Sequence, residues 1–139
     1  MVSRILVAMD DSEMAERALE HALDTHADDD ITVMTVVGEP SAMWGKATAI
    51  ALADDVEAAA EERARPVLDR AREIAADHGV EIDTEVRLGD PAREILDRVG
   101  AFDAVVIGSH GGSLADRLLV GNVATKVFRH APVPVTVVR

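Results

Sequence analysis

Three glycines near the end of this 139-residue sequence stand in a pattern suited to holding phosphate. Two residues separate Gly108 from Gly111, and nine separate Gly111 from Gly121. A glycine has no Cβ, so its backbone can come close to a phosphate oxygen. It also permits the turns in which successive N–H groups converge on an anion. Gly121 and Asn122 then open a helical pattern, and a helix start offers free N–H groups and the positive end of a dipole. Ser109, Ser113, Asn122 and Thr125 are neutral donors in this stretch, and Arg117 and Lys126 are cations. His110 is either a phosphate partner or a neutral loop histidine. By spacing alone, the same glycines could simply shape a long turn.

Charge supports the phosphate reading by position. The chain carries a formal net charge of −12, with two lysines, Lys46 and Lys126. So acidic a surface argues against nucleic acid, whose phosphates need clustered Lys and Arg. It suits a high-salt cytoplasm, where carboxylates keep a surface hydrated. Residues 10–30 hold nine acids and one arginine. Residues 101–139 hold two acids, Asp103 and Asp116, against Arg117, Lys126, Arg129 and Arg139. An anion is opposed least in that last quarter. There is no cysteine, hence no disulfide and no thiolate metal site. His21, His26, His78 and His130 have no metal-ligand spacing. No apolar run approaches the ~20 residues of a membrane helix, and a strand from Arg4 leaves no room for a signal peptide.

The elements that must position the glycines follow from periodicity. RILVAM (4–9) and ITVMTVV (31–37) are continuous apolar runs, suited to strands buried on both faces. Between them, Asp10, Asp11 and Ser12 are cap residues before a helix with Ala15, Ala18, Leu19, Ala22 and Leu23 inward. Residues 38–47 form a loop whose Trp44 is a lid or a simple anchor. A helix is expected from about 48 to 78, bent or restarted at Pro66 and stopped by Gly79. VEIDTEVRL (80–88) is a strand, and Asp90-Pro91 starts a helix that Gly100 ends. AVVI (104–107), a helix over about 121–130 with Val123, Ala124, Val127 and Phe128 inward, and VPVTVV (133–138) complete the chain. Strands alternating with helices predict an α/β fold with a five-stranded, doubly wound parallel sheet and a ligand site beyond the strand C-termini.

VAMDDS (7–12), LGDPAREIL (88–96) and GSHG…LLVGNVATKVFRHAPVPVTVV (108–138) carry a resemblance to the universal stress protein family over essentially the whole chain. The nucleotide-binding branch of that family has Gly, two residues, Gly, nine residues, Gly, then Ser or Thr. This chain resembles it at all three glycines and departs at Asn122, whose amide can donate to phosphate and which is a good N-cap residue. The resemblance implies one domain over 1–139, Rossmann-like in the manner of adenine nucleotide alpha hydrolases, with strand order 3-2-1-4-5 and helices on both faces. It implies ATP or another adenine nucleotide, with Mg²⁺ or Mn²⁺ held mainly by phosphates and water. Asp10 would meet ribose or the metal, Val37 or its neighbour would offer backbone groups to adenine, and Gly108 would pack on ribose. Gly111, Gly121 and Asn122, with Ser109, His110, Val123 and Thr125, would surround the phosphates. The resemblance further implies a cytoplasmic homodimer paired through strand 133–138, acting in stress response as a nucleotide-gated module.

Rival readings fare worse on the residues. The chain has no nucleophile–base arrangement and no Gly-Lys-Ser/Thr phosphate loop, so the expectation is a non-enzyme, with slow ATP hydrolysis left open. A phosphoreceiver domain would share Asp10-Asp11 but needs a central phosphoacceptor Asp and a late Lys. A dinucleotide oxidoreductase needs glycines where the first strand leads into MDDSE. A nucleotide-independent dimer stays open, because Asn122 breaks the motif and the last strand has an edge that could pair.

Overall fold

The computed structural model describes residues 2–38, 56–109 and 121–139. The Trp44 loop, the start of the long helix, and His110, Gly111, Ser113 and Arg117 lie outside the described residues. The elements are β1 (Arg4–Ala8), α1 (Glu13–Thr25), β2 (Asp30–Val37), α2 (Val56–Asp77), β3 (Asp83–Leu88), α3 (Pro91–Arg98), β4 (Ala104–Gly108), α4 (Asn122–His130) and β5 (Val135–Val138). One 3-10 turn, Val99–Ala101, follows α3 in place of a stop at Gly100.

All five strands are parallel and lie in the order β3-β2-β1-β4-β5, as the resemblance implied. β1 is central: Ile5 sits beside Ile31 of β2 and Ala104 of β4. Its apolar run is continuous because alternate side chains enter two different cores. Ile5, Val7 and Met9 pack with α1 and α2 through Leu19, Leu23, Leu68 and Ile74. Leu6 and Ala8 pack with α3 and α4 through Ile95, Val99, Ala124 and Val127. Removing a side chain such as Leu6 or Val7 from water contributes ~1.5–3 kcal/mol, and both are fully buried.

The helices begin and end for local reasons. Ser12 is the N-cap of α1, its Oγ accepting the Ala15 N–H at 3.2 Å. Asp90 caps α3, its Oδ2 accepting the Arg93 N–H at 3.1 Å, with Pro91 in the first turn. α2 closes on Gly79 at φ +69, a left-handed conformation that L side chains resist. Within its described span α2 is a single helix, so the restart expected at Pro66 does not occur. Pro66 lies on the exposed side, and so does Glu62, whose carbonyl loses its N–H partner where water can replace it.

Two other expectations are corrected. Phe128 does not face inward; it is 64% exposed. Ala124 and Val127 fill the contact between α4 and the sheet, and the next residue is carried round to the flank. The last strand begins at Val135 rather than at 133, after exposed Pro132 and Pro134.

At the opposite end of the strands from their C-termini, Phe102 lies under two guanidinium groups. Arg4 is 5.0 Å and Arg98 5.3 Å from its ring centre. Arg98 also grips both carboxylate oxygens of Glu85, with Nε to Oε2 at 2.8 Å. That hydrogen bonding holds the Glu85 carboxyl below its usual range, against a smaller opposing effect of burial.

Candidate functional site

β1 and β4 are neighbours, yet their chains leave for opposite faces of the sheet. β1 feeds α1 on one face and β4 leads on to α4 on the other. The C-terminal ends of the two strands therefore part, and a crevice opens between them. A cavity of about 250 Å³ occupies that place. Ala8 borders it from the end of β1, Met9, Asp10 and Ser12 from the link that follows, and Ala15 from the start of α1. Met34 and Val36 come from β2, Pro91 and Ile95 from α3, and Ile107 and Gly108 from β4. Gly121, Asn122, Val123 and Ala124 close it at the start of α4. The result is an apolar chamber of Ala8, Met34, Val36, Ile95 and Ile107 beside a set of polar backbone groups.

Three helices begin at this cavity, and they differ in how their first N–H groups are used. In α1, Ser12 caps the helix and Asp10 Oδ1 accepts the Ser12 N–H at 2.8 Å. In α3, Asp90 is the cap and Pro91 removes one donor. In α4 the cap position belongs to Gly121, which has no side chain to give. The first helical bond of α4 runs from the Thr125 N–H to the Gly121 carbonyl at 2.9 Å. The N–H groups of Asn122, Val123 and Ala124 precede that bond and have no intrahelical partner. These three residues all line the cavity. The first turn of α4 carries no acid, whereas α1 has Glu13 and Glu16 and α3 has Glu94. Among the described residues an anion is therefore best placed at α4, where N–H groups without intrahelical partners and the helix dipole coincide.

The structure places the residues named from sequence as follows. Asp10, Gly108, Gly121, Asn122 and Val123 meet around the cavity. Asp10 is exposed, and its Oδ2 has no partner among the described residues. It supports the cap of α1 rather than being the cap itself. Asn122 is likewise not the N-cap but the first helical residue. Ser109 and Thr125 are not in the lining. Ser109 instead fastens the site: its N–H donates to Val138 at 2.7 Å, and its carbonyl accepts the Gly121 N–H at 2.5 Å. Ser109 and Gly121 are thus held side by side. Val37 also lies off the lining; its carbonyl accepts the Gly89 N–H at 2.9 Å and its side chain joins the α1–α2 core. Its neighbour Val36 takes the cavity side, because successive residues of a strand point to opposite faces.

Gly108 has a role that spacing did not reveal. A Cβ there would stand 2.9 Å from both the carbonyl carbon and the oxygen of Met14. The glycine lets the first turn of α1 press against the end of β4. Met34, Ile95 and Ala124 were not among the sequence candidates. The two-residue period of a strand could have singled out Met34 and Val36 together in ITVMTVV.

Among the described residues no group of three or more His, Asp or Glu side chains is placed to hold a metal ion. Asp10 is the one carboxylate in the described lining. Among the same residues, no helix is long and apolar enough to cross a membrane.

Comparison with known proteins gives a consistent picture. The profile of the Universal stress protein family matches residues 1–139. A universal stress protein of Mycolicibacterium smegmatis is 30% identical over 96% of this chain, which spans 47% of that protein's length. Universal stress protein YxiE of Bacillus subtilis is 28% identical, with 100% of both chains covered. Among solved structures, universal stress protein UspA of Lactobacillus plantarum superimposes with a TM-score of 0.73 at 27% identity, covering 99% of this chain and 97% of that one. Two more distant structures share the fold. One is a universal stress protein of Archaeoglobus fulgidus in complex with dAMP (TM-score 0.65, 21% identity, 100% and 98% covered). The other is a family member of Arabidopsis thaliana with AMP bound (TM-score 0.66, 20% identity, 97% and 89% covered).

Proposed function

This chain belongs to the universal stress protein family, and from that premise we propose that its cavity binds an adenine nucleotide and that occupancy of the cavity is the signal the protein transmits in stress response. The observation that carries the reading is the uncapped start of α4. Three N–H groups without intrahelical partners open on a cavity with an apolar chamber beside them. The adenine ring would enter that chamber between Met34, Val36, Ile95 and Ile107. Ribose would lie across Gly108 toward Asp10, and phosphate would accept from the N–H groups of Asn122, Val123 and Ala124. Gly121 lets the phosphate approach, and the Asn122 amide can donate where family members carry a hydroxyl. The dAMP and AMP complexes of the distant relatives support an adenine nucleotide as ligand class. Mg²⁺ or Mn²⁺, where a polyphosphate such as ATP is bound, would rest on phosphates and water, with Asp10 as its protein contact.

The reading is of a cytoplasmic binding module rather than an enzyme. The hydroxyl of Ser12, in the lining, is committed to the Ala15 N–H, and no base stands against it among the described residues. The signal would pass through a homodimer. β5 is an edge strand of the sheet, and Phe128 lies exposed on the helix that precedes it. An edge strand beside an exposed aromatic is a surface that a second copy can cover.

Isothermal titration of the nucleotide-free protein with AMP and with ATP–Mg²⁺ tests the binding step, alongside Gly121→Ala. The expected result is binding by the wild type, weakened at least tenfold in the variant while its circular dichroism is unchanged. A folded, nucleotide-free wild type that binds neither ligand would overturn the nucleotide reading. It would leave a dimer that acts by protein contacts alone.

A further inference from the structure

We propose that pairing of two copies at β5 is controlled by a local charge barrier, set by Lys126, Arg129 and Arg139, which holds the copies apart at low ionic strength and falls as salt rises. The inference rests on the homodimer reading above and adds the condition under which that dimer forms.

The stretch from Gly121 to Arg139 contains no aspartate or glutamate, in a chain that holds 26 of them. It does contain Lys126, Arg129 and Arg139. This acid-free stretch is α4 and β5, the helix and strand at one margin of the sheet. All three cations are exposed, and so is Phe128.

Helix geometry places them. Ala124 and Val127 mark the buried side of α4. At about 3.6 residues per turn, Lys126 and Arg129 fall on the side turned away from the sheet. Phe128 falls on one flank, opposite Val123, which borders the cavity. Arg139 follows β5 directly.

A closed pair of identical chains is isologous, so each copy presents the same surface to the other. Pairing β5 with β5 brings the acid-free margin against its own copy, and cation approaches cation. Main-chain hydrogen bonds along the open edge and burial of Phe128 favour the pair. Like charges across the contact oppose it. Salt weakens only the second effect, because the screening length shrinks from ~30 Å at 0.01 M to ~3 Å at 1 M.

The net charge of −12 also drives two copies apart at low salt, so salt dependence alone does not separate a local from a global cause. Neutralising cations does. Lys126→Gln with Arg129→Gln removes two positive charges and takes the net charge from −12 to −14. Global repulsion then grows while the local barrier shrinks.

Sedimentation equilibrium tests the proposal, from the lowest KCl concentration that preserves the circular dichroism spectrum up to molar KCl. The wild-type dimer constant should tighten at least tenfold over that range. At low salt the Gln double variant should pair at least threefold more tightly than wild type, and in molar KCl the two should agree. Wild type mixed with Lys126→Glu/Arg129→Glu at low salt should form more mixed dimer than the statistical half, read by native mass spectrometry. A Gln variant that pairs no better, or worse, than wild type at low salt would overturn the local barrier and leave the dimer standing. So would a wild-type constant that ignores salt. Phe128→Ser that pairs as wild type does would move the contact to another surface and overturn the inference. A folded wild type that stays monomeric at every salt concentration would overturn the homodimer reading as well.

Discussion

Replacing Gly108 with alanine separates two explanations of why a glycine stands there. If it merely gives a flexible turn, alanine costs little. The structure gives a steric reason instead. The new methyl would sit 2.9 Å from the carbonyl carbon and oxygen of Met14 and 3.1 Å from its Cβ. Two of these atoms are backbone within the first turn of α1, which Ser12 and Asp10 hold in place. Such overpacking typically costs ~1–3 kcal/mol. Alanine recovers ~0.4–1 kcal/mol by restricting the unfolded chain, leaving a net loss of ~0–2.6 kcal/mol. For a chain of 139 residues, an unfolding entropy near 2.1 cal/mol/K per residue translates this into a Tm lower by up to ~9 °C. Gly100→Ala is the internal control. Gly100 is exposed, its φ is not positive, and an added Cβ there meets nothing within 4 Å. It should gain stability by the same entropic term, so the two variants move in opposite directions. Differential scanning calorimetry at one salt concentration reads both. A Gly108→Ala melting point equal to that of Gly100→Ala would refute the close contact between α1 and β4.

Three further outcomes follow from the same structure. Ser12→Ala removes the acceptor of the Ala15 N–H and should cost ~1 kcal/mol, read as a shift in the urea midpoint with unchanged slope. Glu85→Gln should lower the melting temperature at pH 7, by an amount equivalent to at most ~1 kcal/mol because the pair is partly exposed. Arg98 depresses the Glu85 carboxyl in the fold, so its contribution is present above the ordinary glutamate range and lost as pH falls through the depressed value. The gap between variant and wild type should therefore close in acid. A net charge of −12 predicts a melting temperature that rises from low to molar KCl as acid–acid repulsion is screened; a flat profile would count against a high-salt habitat.

Some of this architecture could be read directly from residue order, and some required the register between strands. The continuous apolar runs RILVAM and ITVMTVV announce strands buried on two sides, but not which side carries the site. Parity is meaningful only once β2 is set against β1; the resemblance named Val37 or its neighbour, and the register puts Val36 on the cavity side. Asp90-Pro91 marked the start of α3 because a cap followed by proline is a purely local signal. Phe128 shows the reverse. Its spacing from Ala124 fits an inward stripe, but Ala124 and Val127 are the buried residues of α4 and Phe128 is left exposed. A bend or a restart was expected at Pro66 because proline lacks an N–H. The restart is absent where the orphaned carbonyl faces water. Gly108 and Gly121 were legible as glycines needed for approach, yet the group that approaches Gly108 is the backbone of α1.

That difference bears on how the site works. A parallel sheet with this strand order brings several helix starts to one edge, and each start presents donors that must be satisfied. α1 and α3 satisfy theirs internally, through Ser12 with Asp10 and through Asp90. α4 begins on glycine, and among the described residues no side chain caps it. Gly108 lets α1 pack tightly against β4 and so sets where Asp10 stands relative to α4. The backbone of Ser109 ties the start of α4 to the end of β5. A ligand that completes the first turn of α4 therefore adds contacts to the element fastened to the sheet's edge strand. Under the proposed function, linkage then requires reciprocity: whatever tightens pairing at β5 when nucleotide is bound must also tighten nucleotide when β5 is paired. Nucleotide affinity should accordingly change with protein concentration across the dimerisation range. An affinity that stays constant between a dilute monomer and a concentrated dimer would show the two surfaces to be independent.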